Sequence, residues 1–219
     1  MVNDYRNTEY CPELEQVESK KKALNNEILK NHPGVRIIYN RVKNNNDLYK
    51  RKFMEIYNFK CSYCGNSIIN ISSTLFEIDH FICESSFKSN EIAGKMENLV
   101  LACYDCNRSK GKFLIKQEYV NILNPDLDNI KNVFIRDDSY NIQIANEYKA
   151  DEYISKFYTK LKLGYQSRRL DYLLMKMDGL CKKYNAMPQT AKLFEILRRL
   201  QQKRNLTRLK DFDEEFVHV

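Results

Sequence analysis

Three short stretches decide the reading of this chain: Cys61-Ser62-Tyr63-Cys64, Asp79-His80, and Cys103-Tyr104-Asp105-Cys106-Asn107. Two C-x-x-C doublets bracket one Asp-His dipeptide, and an asparagine follows the last cysteine directly. A C-x-x-C knuckle presents two thiolates to one ion, and two knuckles close the tetrahedral sulfur shell that zinc prefers. Cys61, Cys64, Cys103 and Cys106 are therefore expected to hold a structural Zn²⁺ with no open ligand position. Such an ion would staple a core too small to bury enough apolar surface by itself.

Working outward, the segment around these residues reads as two strands and a helix. Residues 74–80 look like a strand with the Asp-His pair at its end, and 84–97 read as a polar loop. Residues 99–102 form an apolar return strand into the second knuckle, and a short helix is expected from Tyr104 through Arg108. Asp79 is a hard carboxylate and Asn107 a neutral carbonyl oxygen, both suited to Mg²⁺ or Mn²⁺. The His80 imidazole titrates near working pH and suits a general base. Asn98 stands at a loop-to-strand junction, where it either orients the loop carrying His80 or caps a turn. The set of groups is what phosphodiester hydrolysis requires: an activated water, charge neutralisation on the phosphate, and help for the leaving oxygen.

The flanks read as mainly helical. A polar helix is expected over 13–31, with Leu14, Val17, Leu24 and Ile28 near one stripe, ending at Asn31-His32-Pro33-Gly34. A short extended piece over 35–39 should follow. Next come an Asn44-Asn45-Asn46-Asp47 loop with a helix cap, and a helix over 48–57. Beyond Asn124-Pro125-Asp126, strands at 132–136 and 140–144 flank an Asp137-Asp138-Ser139 turn. Helices are then expected over 147–163, 167–184 and 190–205. The last carries Leu193, Phe194, Ile196, Leu197 and Leu200 on an apolar face. The expected class is α+β: a small zinc-stapled core at 58–120, a helical extension at 1–57 and another at 121–219.

Composition supports this reading. Hydrophobic residues are 43% of the 219, enough for a core, and no apolar run is long enough to span a membrane. Seven cysteines, an odd number, with no secretion-type leader at Met1-Val2-Asn3-Asp4, argue for metal rather than disulfides and for a cytoplasmic protein. Cys11, Cys83 and Cys181 are expected to be plain thiols. The net charge of +7 favours a polyanionic partner. Arg108, Lys110 and Lys112 lie nearest the candidate site and are the expected phosphate contacts, whereas Lys20-Lys21-Lys22 reads as a solvated helix face.

These residues resemble the HNH nuclease family with its ββα-metal fold. The matching text is Cys61-x-x-Cys64, Glu77-Ile78-Asp79-His80-Phe81-Ile82, and Glu97-Asn98-Leu99-Val100-Leu101-Ala102-Cys103 through Cys106-Asn107-Arg108-Ser109-Lys110-Gly111-Lys112. It covers about a quarter of the chain. The resemblance implies that His80 is the general base, that Asn98 steadies the active-site loop, and that Asp79 and Asn107 hold the catalytic metal, in the HNN variant. It implies DNA nicking with 5′-phosphate and 3′-hydroxyl ends. Cys83 and Glu84 depart from a Pro-Lys pair common in relatives. The tail, through Asn124-Pro125-Asp126, Phe134-Ile135-Arg136-Asp137 and Leu161-Lys162-Leu163, resembles the HNH subunit of anti-phage systems that pair such a nuclease with an ATPase, as in Septu. That resemblance implies phage defence or restriction and an ATPase partner. A homodimer would serve double-strand cutting. The competing expectations are a non-catalytic zinc module that binds nucleic acid and a toxin subunit regulated by a partner.

Overall fold

The computed structural model describes residues 4–44 and 48–215, with residues 205–215 described by backbone alone. At its centre, β1 (Phe76–His80) pairs antiparallel with β2 (Leu99–Cys103), Ile78 opposite Leu101 and His80 opposite Leu99. Alternation sends Phe76 and Ile78 into the core and puts Glu77 and Asp79 together on the opposite face. The strand starts two residues later than expected, because a 3₁₀ turn at Ser73–Leu75 precedes it, capped by the Ser72 side chain.

Helices α1 (Val17–Asn31), α2 (Tyr39–Val42) and α3 (Leu48–Ile56) precede the hairpin, α4 (Asn90–Ala93) lies in its connection, and α5 (Tyr104–Lys110) follows it. Helix α5 follows β2 directly and packs on both strands, completing a ββα unit. Helix α1 begins at Val17 rather than 13, since Gln16 takes a left-handed conformation, although Leu14 is buried as expected. The extended piece expected over 35–39 is absent. Ile38 and Val42 are both buried, and a helical turn delivers them to the core while the Tyr39 N–H donates to the Gly94 carbonyl at 3.1 Å. The loop and cap expected at Asn45-Asn46-Asp47 lie outside the described residues. The expected loop at 84–97 contains α4, capped by Ser89.

The C-terminal part comprises α6 (Val120–Leu123), α7 (Ile130–Val133), the hairpin β3 (Phe134–Arg136) and β4 (Ile142–Ile144), α8 (Glu152–Lys160), α9 (Gln166–Lys183) and α10 (Pro188–Glu215). Helix α8 starts where the Asp151 carboxylate accepts from the Tyr153 and Ile154 amides, later than the expected 147.

One hydrophobic cluster runs from Tyr5 through the ββα unit to Leu163. Buried polar side chains stitch the flanks to it. Arg6 donates to the Ser62 carbonyl at 2.8 Å and the Pro125 carbonyl at 2.6 Å. Asp126 accepts from Lys21 at 2.6 Å and from Tyr57 at 2.8 Å. Helices α9 and α10 pack on each other around Leu174, Cys181 and Leu197. The apolar face expected on α10 is mostly open: Leu197 is buried, whereas Phe194, Ile196 and Leu200 are exposed. No described helix is long and apolar enough to cross a membrane.

Candidate active site and metal centre

The two knuckles meet. The Sγ atoms of Cys61, Cys64, Cys103 and Cys106 all lie within 4.8 Å of one another, and those of Cys64 and Cys103 are 3.8 Å apart. A tetrahedral shell with Zn–S near 2.3 Å needs sulfur separations of about 3.8 Å, so the cluster is compatible with zinc. The first knuckle is held by Gly65 N–H to Cys61 carbonyl at 2.9 Å and Ser62 N–H to Leu101 carbonyl at 2.7 Å. Gly65 has φ +75°, and a Cβ there would sit 2.5 Å from the Arg6 carbonyl oxygen, so a side chain is excluded twice over.

A residue without any local sequence signal completes this centre. Arg168, buried on α9, points its Nη1 at Cys64 Sγ at 3.5 Å and its Nη2 at Cys106 Sγ at 3.4 Å. A four-thiolate zinc site carries net negative charge, and the guanidinium offsets part of it while tying the C-terminal helices to the knuckles.

His80 stands at the end of β1, its ring half-buried and its centroid 4.4 Å from that of Tyr39. Burial pulls its pKa below the ordinary histidine value, against the opposing pull of Glu84 and Asp79. Asn98 pins the segment after His80. Its Nδ2 donates to the Ile82 and Ala93 carbonyls at 3.0 and 2.9 Å, and its Oδ1 accepts from the Ile82 amide at 2.9 Å. Asn98 thus ties the segment after His80 to the end of α4.

Asp79 and Asn107 bond to different partners among the described residues. Asp79 is buried, accepting from the Tyr63 hydroxyl at 2.7 Å and paired with Lys110 at 2.9 Å. Burial pushes its pKa up, while Lys110 and Tyr63 act in the opposite sense. The Asn107 amide instead donates to Glu77 at 2.5 Å, and Arg108 donates to the other Glu77 oxygen at 2.8 Å. Lys110, read from sequence as a phosphate contact, is 1% exposed, and its ammonium also holds the His80 carbonyl at 2.8 Å. Arg108 and Lys112 are exposed. Thus Glu77, Tyr39, Tyr63 and Arg168 join the site, each without an assigned role in the sequence reading. Only two of them left a local trace: Glu77 is two residues from Asp79 on one strand, and Tyr63 lies inside a knuckle.

From Arg108 a groove of about 1000 Å³ runs between α5 and α8. Lys149, Lys156, Lys160 and Lys162 line it with Phe113, and Glu152 is the one carboxylate among its described lining residues.

Residues 61–113 match the family model described as HNH endonuclease. The matched segment contains both knuckles, the β1–β2 hairpin and α5. No curated protein and no solved structure matches the chain.

Proposed function

We propose that the protein is a metal-dependent endonuclease that hydrolyses DNA phosphodiester bonds one strand at a time, leaving 5′-phosphate and 3′-hydroxyl ends. The observation that carries this reading is the HNH match over the segment holding His80, Asn98 and Asn107 in one ββα frame. His80 takes the proton of the attacking water. Its lowered pKa keeps the imidazole neutral near pH 7, and contact with Tyr39 limits the ring's orientation. Asn98 fixes the loop that leaves His80. Asn107 and a carboxylate of β1 hold Mg²⁺ or Mn²⁺, which when bound would neutralise charge on the scissile phosphate and the leaving oxygen. The zinc centre sets α5, and so Asn107, against β1.

Arg108 and Lys112 contact phosphates, and the lysine-lined groove beside Arg108 carries the strand onward. Lys110 serves instead as a buried positioning residue. The nuclease unit is 58–120, with extensions at 1–57 and 121–219. Phage defence or restriction, with an ATPase partner or a second copy of the chain, is the setting this chemistry suits. The test is a substrate panel of supercoiled plasmid, linear duplex, single-stranded DNA and RNA, with Mg²⁺, Mn²⁺ or EDTA. Ligase sealing of the nicked product would establish the expected ends. Intact substrates throughout, with folded zinc-loaded protein, would contradict the proposal.

A further inference from the structure

The family resemblance pairs Asp79 with Asn107 as holders of the catalytic cation. The geometry pairs Asn107 with a different carboxylate. We infer that Glu77 and Asn107 are the protein ligands of a hard divalent cation, and that Asp79 is a buried structural anion matched to Lys110. The inference rests on the nuclease reading above and specifies its metal site.

Glu77 and Asp79 share one face of β1, and α5 lies across that face, so each meets a different residue of the helix. Asn107 reaches Glu77 Oε2 at 2.5 Å, while Lys110, one turn further on, reaches Asp79 Oδ2 at 2.9 Å. The amide and the Glu77 carboxylate therefore already converge on one point. A flip of the amide exchanges its nitrogen for its oxygen and presents two hard oxygen donors there.

Access separates the two carboxylates further. Mg²⁺ and Mn²⁺ sites on phosphodiesters keep several water positions, so the ligating side chain needs an open side. The Glu77 side chain is 26% exposed and that of Asp79 is 8% exposed. Charge acts in the same direction. A cation at Asp79 would sit against a buried ammonium, which cannot withdraw because it is enclosed and also bonded to the His80 carbonyl. The cation now on Glu77 is Arg108, whose side chain is 63% exposed and free to swing into solvent or onto a phosphate. Glu77 thus has an exchangeable positive partner and Asp79 a fixed one.

Mn²⁺ binding to zinc-loaded protein, followed by the electron paramagnetic resonance of free Mn²⁺ with and without a short DNA duplex, tests this. E77Q and N107A should each weaken Mn²⁺ binding about tenfold or more. D79N should leave the affinity unchanged. If D79N does not fold, D79N/K110M, which removes both buried charges together, replaces it and should bind Mn²⁺ like wild type. Loss of binding in D79N or D79N/K110M, with E77Q unaffected, would overturn the inference and leave the nuclease reading standing. Absence of Mn²⁺ binding in the wild type, with and without duplex, would overturn both.

Discussion

Replacing Lys110 with methionine keeps the length of the side chain and removes its charge, in a place where the charge has no solvent to fall back on. The wild-type ammonium contacts Asp79 Oδ2 at 2.9 Å, Asp79 Oδ1 at 3.1 Å and the His80 carbonyl at 2.8 Å. In Lys110→Met, Asp79 keeps only the Tyr63 hydroxyl at 2.7 Å among these bonds. Breaking a buried pair from one side costs about 3–5 kcal/mol, because the remaining charge is stranded. Against a total stability on the order of 5–15 kcal/mol, that is a large share.

The sign of the pH dependence follows from burial. Burial already raises the Asp79 pKa in the fold against the pull of Lys110, and without Lys110 it rises further. An acid with a raised folded pKa stabilises the fold least when ionised. The deficit of Lys110→Met is therefore expected to grow as pH rises through the carboxylate range towards that raised value, and to shrink towards acid. Removing the second charge in D79N/K110M should recover most of the loss. Urea unfolding at fixed zinc, at pH 5.5 and 7.5, measures all of this. A Lys110→Met deficit below about 1 kcal/mol at pH 7.5, the scale of an exposed pair, would show that the pair is not buried in effect. So would a double variant no more stable than Lys110→Met.

Zinc removal should unfold the region around the knuckles, since structural zinc contributes on the order of 10–16 kcal/mol in small zinc modules; far-ultraviolet circular dichroism during chelation measures it. Arg168→Met removes charge-assisted hydrogen bonds to the thiolates, each worth about 1.5–3 kcal/mol, and should speed zinc transfer to a colorimetric chelator by about tenfold or more. The lowered pKa of His80 places the acid limb of the cleavage rate below the ordinary histidine range near 6.5. The rate should rise with pH as the neutral imidazole forms. A rate that does not rise with pH across the acid range would count against His80 as the base.

The parts of the structure legible in the sequence are those whose signal is local. The knuckles, the strand ending in Asp79-His80, the return strand and the helix carrying Asn107 are all encoded by spacing within a few residues. Val35, Ile37 and Ile38 favour a strand locally, but packing of Ile38 and Val42 overrides propensity and makes Tyr39 helical. Lys110 is expected from its place beside the site to contact phosphate, yet the sequence carries a contrary sign. It lies seven residues after Cys103, four after Cys106 and three after Asn107, which is one helix face. Period two likewise placed Glu77 beside Asp79, a relation the Asp-His motif overshadowed. Arg168 was beyond reach, since its partners lie 62 or more residues away. Phe194, Ile196 and Leu200 of α10 have helical spacing without burial, because periodicity shows a face and not what covers it.

Conversion of supercoiled plasmid to nicked circles by zinc-loaded wild type and His80→Ala, in Mg²⁺ or Mn²⁺ and in EDTA, tests the nuclease assignment. Metal-dependent nicking is expected of the wild type, and its loss is expected in His80→Ala with the fold and zinc content intact. Nicking that persists in His80→Ala, or that is indifferent to EDTA, would contradict that assignment.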